Sequence, residues 1–285
     1  TMADSEDAEV IRLPTVHVAP QDPQGPFMLP AACVDLLAVL ALLAVVGCLV
    51  VVAVRVRRRF RLTLGQTFWY GVNYVIARVL WRAQVRGSLA IPPDQGAVII
   101  CNHRSSLDPS FIEIVTNRVV HWMVAKEFFP HWAMGRFLRM AEAIPVNRTA
   151  QDTQGTKMAI RYAQNGGLVG IFPEGGINTT DQLLRPGRPG AAMIALRARV
   201  PVIPCYIEGS PYDGTPLGCL LMAANVRVTL GEPIDLSEFY GREDDRDVLQ
   251  EITKRLLSAI ASLAGQPDFQ PEVAGRFHTP NRSRQ

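Results

Sequence analysis

The chain has 285 residues, 48% of them hydrophobic, enough to bury a full core in one medium domain with appendages or in two small domains. The formal net charge of +3 is too small to indicate a nucleic-acid partner, and there is no long basic run with interleaved aromatic residues. The five cysteines show neither a C-x-x-C pair nor a zinc spacing, so we expect no disulfide framework and assume a reducing compartment.

The N-terminal segment differs from the rest of the chain in charge and in proline content. Residues 1–30 carry five acidic side chains against a single arginine, together with five prolines. Such a composition cannot bury enough apolar surface to offset the entropy lost on ordering the chain. We therefore predict a disordered acidic tail over residues 1–30.

An apolar run without any charge, LLAVLALLAVVGCLVVVAV, follows at residues 36–54. Its length is sufficient to cross a hydrocarbon layer of ~30 Å as a helix, whereas a buried core helix rarely lacks a polar face for so long. The acidic flank before it and the lack of a small-residue cleavage pattern argue against a signal peptide. The sequence therefore predicts a transmembrane helix over residues 31–55.

A cluster of arginines, RVRRRFR at residues 55–61, comes directly after this helix. Because positively charged flanks stay on the cytoplasmic side of a membrane, we expect a single-pass protein with its acidic tail outside. The larger, C-terminal part of the chain would then lie on the cytoplasmic side.

The next segment, LGQTFWYGVNYVIARVLWR at residues 64–82, has apolar side chains at helical spacing and the Trp, Tyr and Arg residues that favour a lipid–water boundary. We predict an amphipathic, interfacial helix over residues 62–83. The same pattern also fits a helix that packs on the protein's own core, because periodicity does not distinguish two apolar environments. Both interpretations stay open at this stage.

From residue 84 onward, short apolar strands alternate with helical stretches. This alternation predicts an α/β domain over residues 84–265, with a largely parallel sheet flanked by helices. The polar, proline-containing segment 266–285 is expected to form a flexible tail. The predicted strands are 97–101, 119–124, 143–147, 168–172, 202–207 and 225–230, and the predicted helices are 109–117, 131–141, 151–164, 189–198 and 243–264.

The stretch NHRSSLDP, residues 102–109, begins where the apolar strand AVIIC ends. His103 and Asp108 are too far out of register to meet on one side of a helix or of a strand. They come together only if the chain turns between them and a helix starts at Pro109. In the alternative interpretation Asp108 is only a helix cap and His103 a satisfied histidine at a strand end.

Three further turns follow apolar strands. GIFPEGG, residues 170–176, combines Glu174 with glycines that permit positive φ and a close approach of a ligand to backbone N–H groups, although Glu174 alone would be an ordinary turn residue. AIPVNRT, residues 143–149, holds Arg148 at the end of a strand. VPVIPCYI, residues 200–207, contains two prolines, and its simplest interpretation is an edge strand.

Together and in this order, these stretches resemble the motifs of the glycerolipid acyltransferase family, whose members acylate lysophosphatidic acid and related lysolipids. The resemblance covers roughly residues 84–235 and implies that family's fold, catalytic roles for His103 and Asp108, and substrate-binding roles for other motif residues. N-H-x-x-x-x-D matches Asn102, His103 and Asp108, the apolar segment ending in arginine matches Ile144 to Arg148, F-P-E-G matches Phe172, Pro173, Glu174 and Gly175, and V-P-x-x-P matches Val200 to Pro204.

One departure from the family pattern bears on the acceptor rather than on the reaction type. The third motif usually continues with Thr-Arg, and here the chain has Gly176 and Ile177, so an arginine that commonly helps to hold the acceptor phosphate is missing. Arg188 stands where the family usually has a lysine and is a candidate substitute, with Arg185 nearby.

The implied reaction needs a general base, because a lysolipid hydroxyl is a poor nucleophile at neutral pH. A neutral His103 imidazole suits that task, with Asp108 fixing its tautomer. The acyl thioester, acyl-CoA or acyl-carrier protein, is an activated co-substrate, so we expect no serine nucleophile, no metal and no other cofactor. We expect backbone N–H groups around Gly175 to stabilise the oxyanion, Glu174 to order that loop or bind acceptor hydroxyls, and Arg148 to pair with the acceptor phosphate.

The sequence thus predicts a membrane-bound O-acyltransferase that moves a fatty acyl group to a lysolipid, with 1-acyl-glycerol-3-phosphate, which gives phosphatidic acid, as the first choice of acceptor. Its expected partners are the lysolipid acceptor, the acyl thioester donor and the membrane, and not a nucleic acid. Three alternatives stay open: a lysolipid with another head group, a non-catalytic lipid-binding membrane protein, and a hydrolase that uses Cys101.

Overall fold

The first helix is the long apolar one. The structure, a computed structural model, describes residues 31–60, 62–116, 118–147, 153–212, 214 and 218–274. Helix α1 spans Ala31–Phe60, and its stretch Asp35–Arg58 is long and apolar enough to cross a membrane, with none of its most apolar part buried. The predicted N-terminal apolar helix is therefore confirmed. The acidic segment 1–30 lies outside the described residues.

Helix α2 spans Leu64–Val79, and one of its faces packs on the domain while the other is exposed. Thr63 caps its first turn, since the Thr63 side chain accepts from Gln66 N while the Gln66 side chain accepts from Thr63 N. The side chains of Gln66 and Ala77 are buried, and the Asn73 amide donates to the carbonyl of Ser110 at 2.9 Å. The opposite face is apolar and exposed: Leu64 is 72% exposed, Phe68 62%, Val75 59% and Val79 74%.

The sheet is mostly parallel, as predicted. Among the described residues it has seven strands: β1 Gln84–Arg86, β2 Ala97–Cys101, β3 Val120–Ala125, β4 Ile144–Val146, β5 Leu168–Ile171, β6 Val202–Glu208 and β7 Arg227–Leu230. Their order in the sheet is β1-β7-β6-β2-β5-β3-β4, and every neighbouring pair is parallel except β6 with β7.

Helices cover both faces of this sheet. Alternate residues of β2 point to opposite sides, as the strand period requires. The remaining α-helices of the described residues are α3 Asp108–Thr116, α4 Trp132–Met140, α5 Thr153–Gln164, α6 Gly190–Ala198 and α7 Arg246–Leu263. Val98 and Ile100 belong to one apolar cluster with α5, α6 and α7, whereas Ile99 and Cys101 belong to a second cluster with α3 and the end of α2.

Strand β6 corrects the edge-strand interpretation of the segment that holds Pro201 and Pro204. It lies inside the sheet, between β7 and β2. Pro204 is tolerated there because it lies just outside the antiparallel pairing with β7, which runs from Cys205 opposite Leu230. The Pro204 carbonyl accepts from Gly231 N at 2.8 Å, and the N–H that proline lacks would fall at this end of the pairing.

The C-terminal segment differs in part from the flexible tail that composition suggests. Gly187 N donates to the carbonyl of Glu272 at 2.9 Å, and Ala274 N donates to the carbonyl of Gly187 at 2.8 Å. Residues 272–274 are thereby tied to the loop that precedes α6. Residues 275–285 of the predicted tail lie outside the described part of the chain.

Candidate active site

Two of the turns singled out in the sequence, those after β2 and β5, come together at one edge of the sheet. Strands β2, β5 and β6 are parallel and adjacent, so their carboxyl ends lie side by side. His103 follows β2, Glu174 follows β5, and Ser210 follows β6. Arg148, expected just after β4, lies outside the described residues.

His103 and Asp108 form a hydrogen-bonded pair. His103 Nδ1 lies 3.0 Å from Asp108 Oδ2, and the turn from Arg104 to Leu107 brings the two side chains together, as the sequence predicts. The Asp108 side chain is fully buried, whereas His103 retains 13% exposure. With Nδ1 facing a carboxylate, the proton of a neutral imidazole belongs on Nδ1, which leaves Nε2 free to accept one.

Three more donors hold the Asp108 carboxylate. Oδ2 accepts from the backbone N–H groups of Arg104 and Ser105 at 2.7 and 2.8 Å, and Oδ1 accepts from the Ser210 hydroxyl at 2.6 Å. These bonds reach back into the turn, so Asp108 does more than cap the helix that it begins. Ser210 was not predicted, and the one local pattern that marks it is the preceding Gly209, whose φ of +76° and contact with the Asn225 carbonyl exclude a side chain.

Glu174 is buried and joins two loops. Its Oε1 accepts from the backbone N–H of His103 and its Oε2 from that of Arg185, each at 2.9 Å. Burial raises the pKa of Glu174, and the two backbone donors oppose that shift. Because both oxygens serve backbone groups, Glu174 fixes the His103 turn relative to the loop that carries Arg185.

A stack of three rings includes the imidazole of His103. The imidazole lies 3.8 Å from the ring centroid of Phe172 at an interplanar angle of 9°, and Phe172 lies 4.8 Å from the ring of Trp122. Trp122 fits against β5 only because residue 170 is glycine, since a Cβ there would lie 2.4 Å from the indole. The sequence showed the F-P-E-G motif but not this tryptophan, which comes from a different strand.

The side chains of Asn102 and Cys101 are buried at the end of β2. The Asn102 side chain accepts from Ile207 N and donates to Ile207 O, both at 2.8 Å, and so extends the pairing of β2 with β6. Cys101 is fully buried, and burial raises the pKa of its thiol well above the ordinary value. A thiolate nucleophile is therefore disfavoured at Cys101, which argues against the hydrolase alternative.

The turn after β2 and the loop after β5 bring arginine side chains to the site. Gly175 has a φ of +70°, and a Cβ there would lie 3.0 Å from Arg188 Nε, so the glycine lets the guanidinium lie against the turn. The Gly175 N–H already donates to the Phe172 carbonyl at 3.0 Å, which removes it as an oxyanion donor. Arg185 donates to the carbonyl of Ile177 at 3.2 Å, and Arg104 donates to the carbonyls of Asn178, Thr180 and Gln182.

A cavity of about 2200 Å³ opens beside these residues. His103, Gly175, Gly176 and Arg188 line it at the carboxyl edge of the sheet. Apolar side chains of α2, α3 and β3 continue the lining away from this edge, and they include Ile76, Pro109 and Trp122. The cavity thus joins a polar end, with a histidine and an arginine, to a largely apolar arm.

A mostly parallel sheet with a His–Asp pair at its carboxyl edge is the arrangement expected of an acyltransferase domain. The sequence model of the family described as Acyltransferase matches residues 82–208. This match covers a little under half of the chain, and it shows that residues 82–208 are similar to that family's domain.

Two curated relatives and one crystal structure are similar to this chain. The 1-acyl-sn-glycerol-3-phosphate acyltransferase of Bacillus subtilis is 28% identical over 179 residues, which cover 62% of this chain and 86% of that protein. The human 1-acyl-sn-glycerol-3-phosphate acyltransferase alpha is also 28% identical, over 68% of this chain and 60% of its own length. The crystal structure of the 1-acyl-sn-glycerophosphate acyltransferase PlsC of Thermotoga maritima superposes with a TM-score of 0.51 at 24% identity, over 65% of this chain and 75% of that one, and supports the same fold.

Proposed function

We propose that the chain transfers a fatty acyl group from acyl-CoA or acyl-carrier protein to the free hydroxyl of 1-acyl-glycerol-3-phosphate, giving phosphatidic acid. The observation that carries this proposal is the His103–Asp108 pair facing a cavity that has both a cationic end and an apolar arm. The names of the B. subtilis and human relatives support this choice of acceptor.

In this reaction His103 is the general base. Nε2 takes the proton of the acceptor hydroxyl as its oxygen attacks the thioester carbonyl carbon, and the imidazolium is stabilised by Asp108 through Nδ1. The tetrahedral intermediate then collapses, the carbon–sulfur bond breaks, and the departing thiolate takes the proton back from Nε2. The products are the new ester and a free thiol, and His103 returns to its neutral state.

The loop after β5 is proposed to stabilise the developing oxyanion. Since the N–H of Gly175 is engaged in the turn, the next N–H, that of Gly176, is the better donor. It lines the cavity, and within the described segments no acceptor is bonded to it. Glu174 contributes by holding this loop against the His103 turn.

Arg188 is proposed to bind the acceptor phosphate, together with Arg148. Arg188 lines the cavity at the same end as His103, and its guanidinium lies against Gly175. A planar guanidinium suits a phosphate through paired hydrogen bonds. The loop that carries it is braced from two sides, since Arg188 N donates to the Pro173 carbonyl and Gly187 pairs with residues 272–274.

The apolar helices are proposed to bring the enzyme to its lipid substrates. Helix α1 would be a single-pass anchor, with the acyltransferase domain on the cytoplasmic side because Arg55 to Arg58 follow the apolar run. The exposed apolar face of α2 would lie at the membrane surface while its other face packs on the domain. In this proposal the two interpretations that the sequence left open for α2 apply to its two faces.

The central experiment is acyl transfer by the purified full-length protein with His103→Ala. We expect loss of transfer with unchanged circular dichroism, because the base is removed while the fold loses only a partly exposed ring. His131→Ala is the matched control, since His131 is exposed and lies outside the cavity lining. An active and folded His103→Ala protein would end the general-base proposal.

The choice of acceptor is tested with Arg188→Ala on lysophosphatidate and on a phosphate-free lysolipid. Loss of a charged hydrogen-bond partner costs about 1.5 to 3 kcal/mol, or roughly ten- to more than a hundredfold in kcat/KM, and we expect it only for the phosphate-bearing acceptor. Arg197→Ala is the control, because Arg197 pairs with the exposed Asp244 at the surface. Equal losses on both acceptors would make Arg188 structural, and a wild-type preference for the phosphate-free lipid would reject phosphatidic acid as the product.

A further inference from the structure

The apolar arm of the cavity runs along the α2–α3 face of the sheet. Its lining starts at His103, beyond the carboxyl end of β2, and reaches Val119, which directly precedes β3 at the opposite edge. Because β3 has six residues, the arm extends over about 20 Å at ~3.3 Å per residue. Val72, Ile76 and Pro109 are among the apolar side chains that line it.

One acidic side chain, Glu113, interrupts this arm. Glu113 lies on α3 between Asp108 and the far end of the arm, about 7.5 Å beyond Asp108 along the helix axis. It is partly buried, and no hydrogen bond or ion pair joins its carboxylate to another residue that the structure describes. Burial raises its pKa from 4.5 to about 7.

The other ionisable groups along the arm do not neutralise Glu113. Arg118, on the loop before β3, directs its guanidinium to the carbonyls of Gln95 and Gly166. Tyr70 is the titratable residue that α2 contributes to the cavity lining, and the described residues of β3 contribute none. The carboxyl group of Glu113 therefore faces largely apolar surroundings, and only water in the arm can solvate it.

We propose that Glu113 is a specificity-determining residue that limits the length of the acyl chain, and that its protonation relaxes the limit. This inference rests on the proposed acyl transfer, with the donor's thioester at His103 and its chain in the arm. A short chain ends before Glu113 and leaves the carboxylate hydrated. A long chain passes Glu113 and strips water from it, which is costly for a carboxylate and much less so for a neutral carboxyl group.

This proposal predicts a chain-length preference that depends on pH. If long chains bind only the protonated form, their kcat/KM relative to short chains follows the neutral fraction of Glu113. With a pKa of about 7, that fraction falls about tenfold between about pH 6 and about pH 8. Effects of pH on proton transfer at His103 act on every chain length alike and cancel in the ratio.

The experiment measures kcat/KM for saturated acyl-CoA donors from butanoyl to stearoyl, with the full-length protein in nanodiscs at both pH values. For the wild type we expect the stearoyl-to-butanoyl ratio to fall about tenfold at the higher pH. Glu113→Gln, which keeps the shape, and Glu113→Leu should show the high ratio at both pH values. Glu251→Gln is the control, since Glu251 is an exposed acid on α7, on the other face of the sheet.

The outcomes separate this inference from the proposed function. If the wild type transfers no acyl chain of any length, the proposed function fails. If transfer occurs but the chain-length profile of Glu113→Gln equals that of the wild type at both pH values, the inference is overturned. Equal loss of activity for all chains in both variants would also overturn it, because Glu113 would then only support the fold.

Discussion

The Ser210→Ala substitution isolates one hydrogen bond of the His–Asp pair. Ser210 lies outside the cavity lining and reaches the site only through its hydroxyl, which donates to Asp108 Oδ1 at 2.6 Å. The other three donors to this carboxylate all use Oδ2. The substitution therefore leaves Oδ1 of a fully buried carboxylate without its donor.

The structure sets the size of the expected effect. A hydrogen bond to a charged group contributes about 1.5 to 3 kcal/mol, and a buried acceptor left unpaired costs about that much. If the carboxylate turns to find a new partner, the 3.0 Å contact between Oδ2 and His103 Nδ1 is lost. We expect kcat to fall roughly ten- to a hundredfold, while KM for both substrates changes little because Ser210 touches neither.

The assay is steady-state acyl transfer with Ser210→Ala, Ser210→Thr and a matched control. Ser210→Thr keeps a hydroxyl and should recover most of the rate. Ser237→Ala is the control because Ser237 also donates to an aspartate, Asp235, at 2.7 Å, but at the exposed surface. It should leave kcat unchanged.

A double-mutant cycle with Asp108→Asn decides whether Ser210 acts through Asp108. Asp108→Asn removes the charge that the Ser210 hydroxyl serves, so Ser210→Ala should then cost less than about 0.5 kcal/mol, or about twofold in kcat. If Ser210→Ala costs as much in that background as alone, Ser210 acts elsewhere. A folded Ser210→Ala protein with the wild-type rate would refute the reasoning altogether.

Two further predictions concern stability and orientation. Glu113→Gln should stabilise the protein by up to roughly 3 kcal/mol above pH 7 and leave its stability unchanged near pH 4. The reason is that the folded state holds the Glu113 proton up to a pKa of about 7, so the stability of the wild type falls as pH rises from 4.5 to that value. Chemical unfolding in detergent measures this, and a difference in unfolding free energy that is the same at every pH would contradict the reasoning. A reactive cysteine placed at Ser5 should be labelled from outside intact cells and one placed at Thr279 should not, since the arginines follow the apolar helix; the reverse pattern would contradict the proposed orientation.

Local patterns predicted much of the fold. Predicted strand 97–101 coincides with β2, and the predicted helix 243–264 contains α7, whose N-cap Asp245 lies in the acidic cluster at its start. The His103–Asp108 contact was also predictable, because both residues lie in one turn whose two ends, a buried strand and a helix start, can be recognised locally. Strand β1 was missed because its three residues carry no clear apolar alternation.

The parts of the site that could not be predicted come from distant segments. Ser210 is separated from Asp108 by 102 residues, and nothing near Ser210 indicates which loop lies opposite it. Residues 272–274 look like a polar tail, yet they pair with Gly187 through backbone groups, which every sequence possesses. Only the sheet order, with β6 beside β2, brings such segments together, and periodicity does not determine that order.

The fit of Trp122 over Gly170 restricts the order in which this site could have changed through evolution. While the tryptophan is present, any side chain at position 170 collides with its buried ring, and the ring supports Phe172 and through it His103. A smaller residue at position 122, in contrast, removes the atoms with which a side chain at position 170 would collide. A lineage could therefore replace Trp122 first and Gly170 afterwards, whereas the opposite order passes through an intermediate in which Phe172 and His103 are displaced.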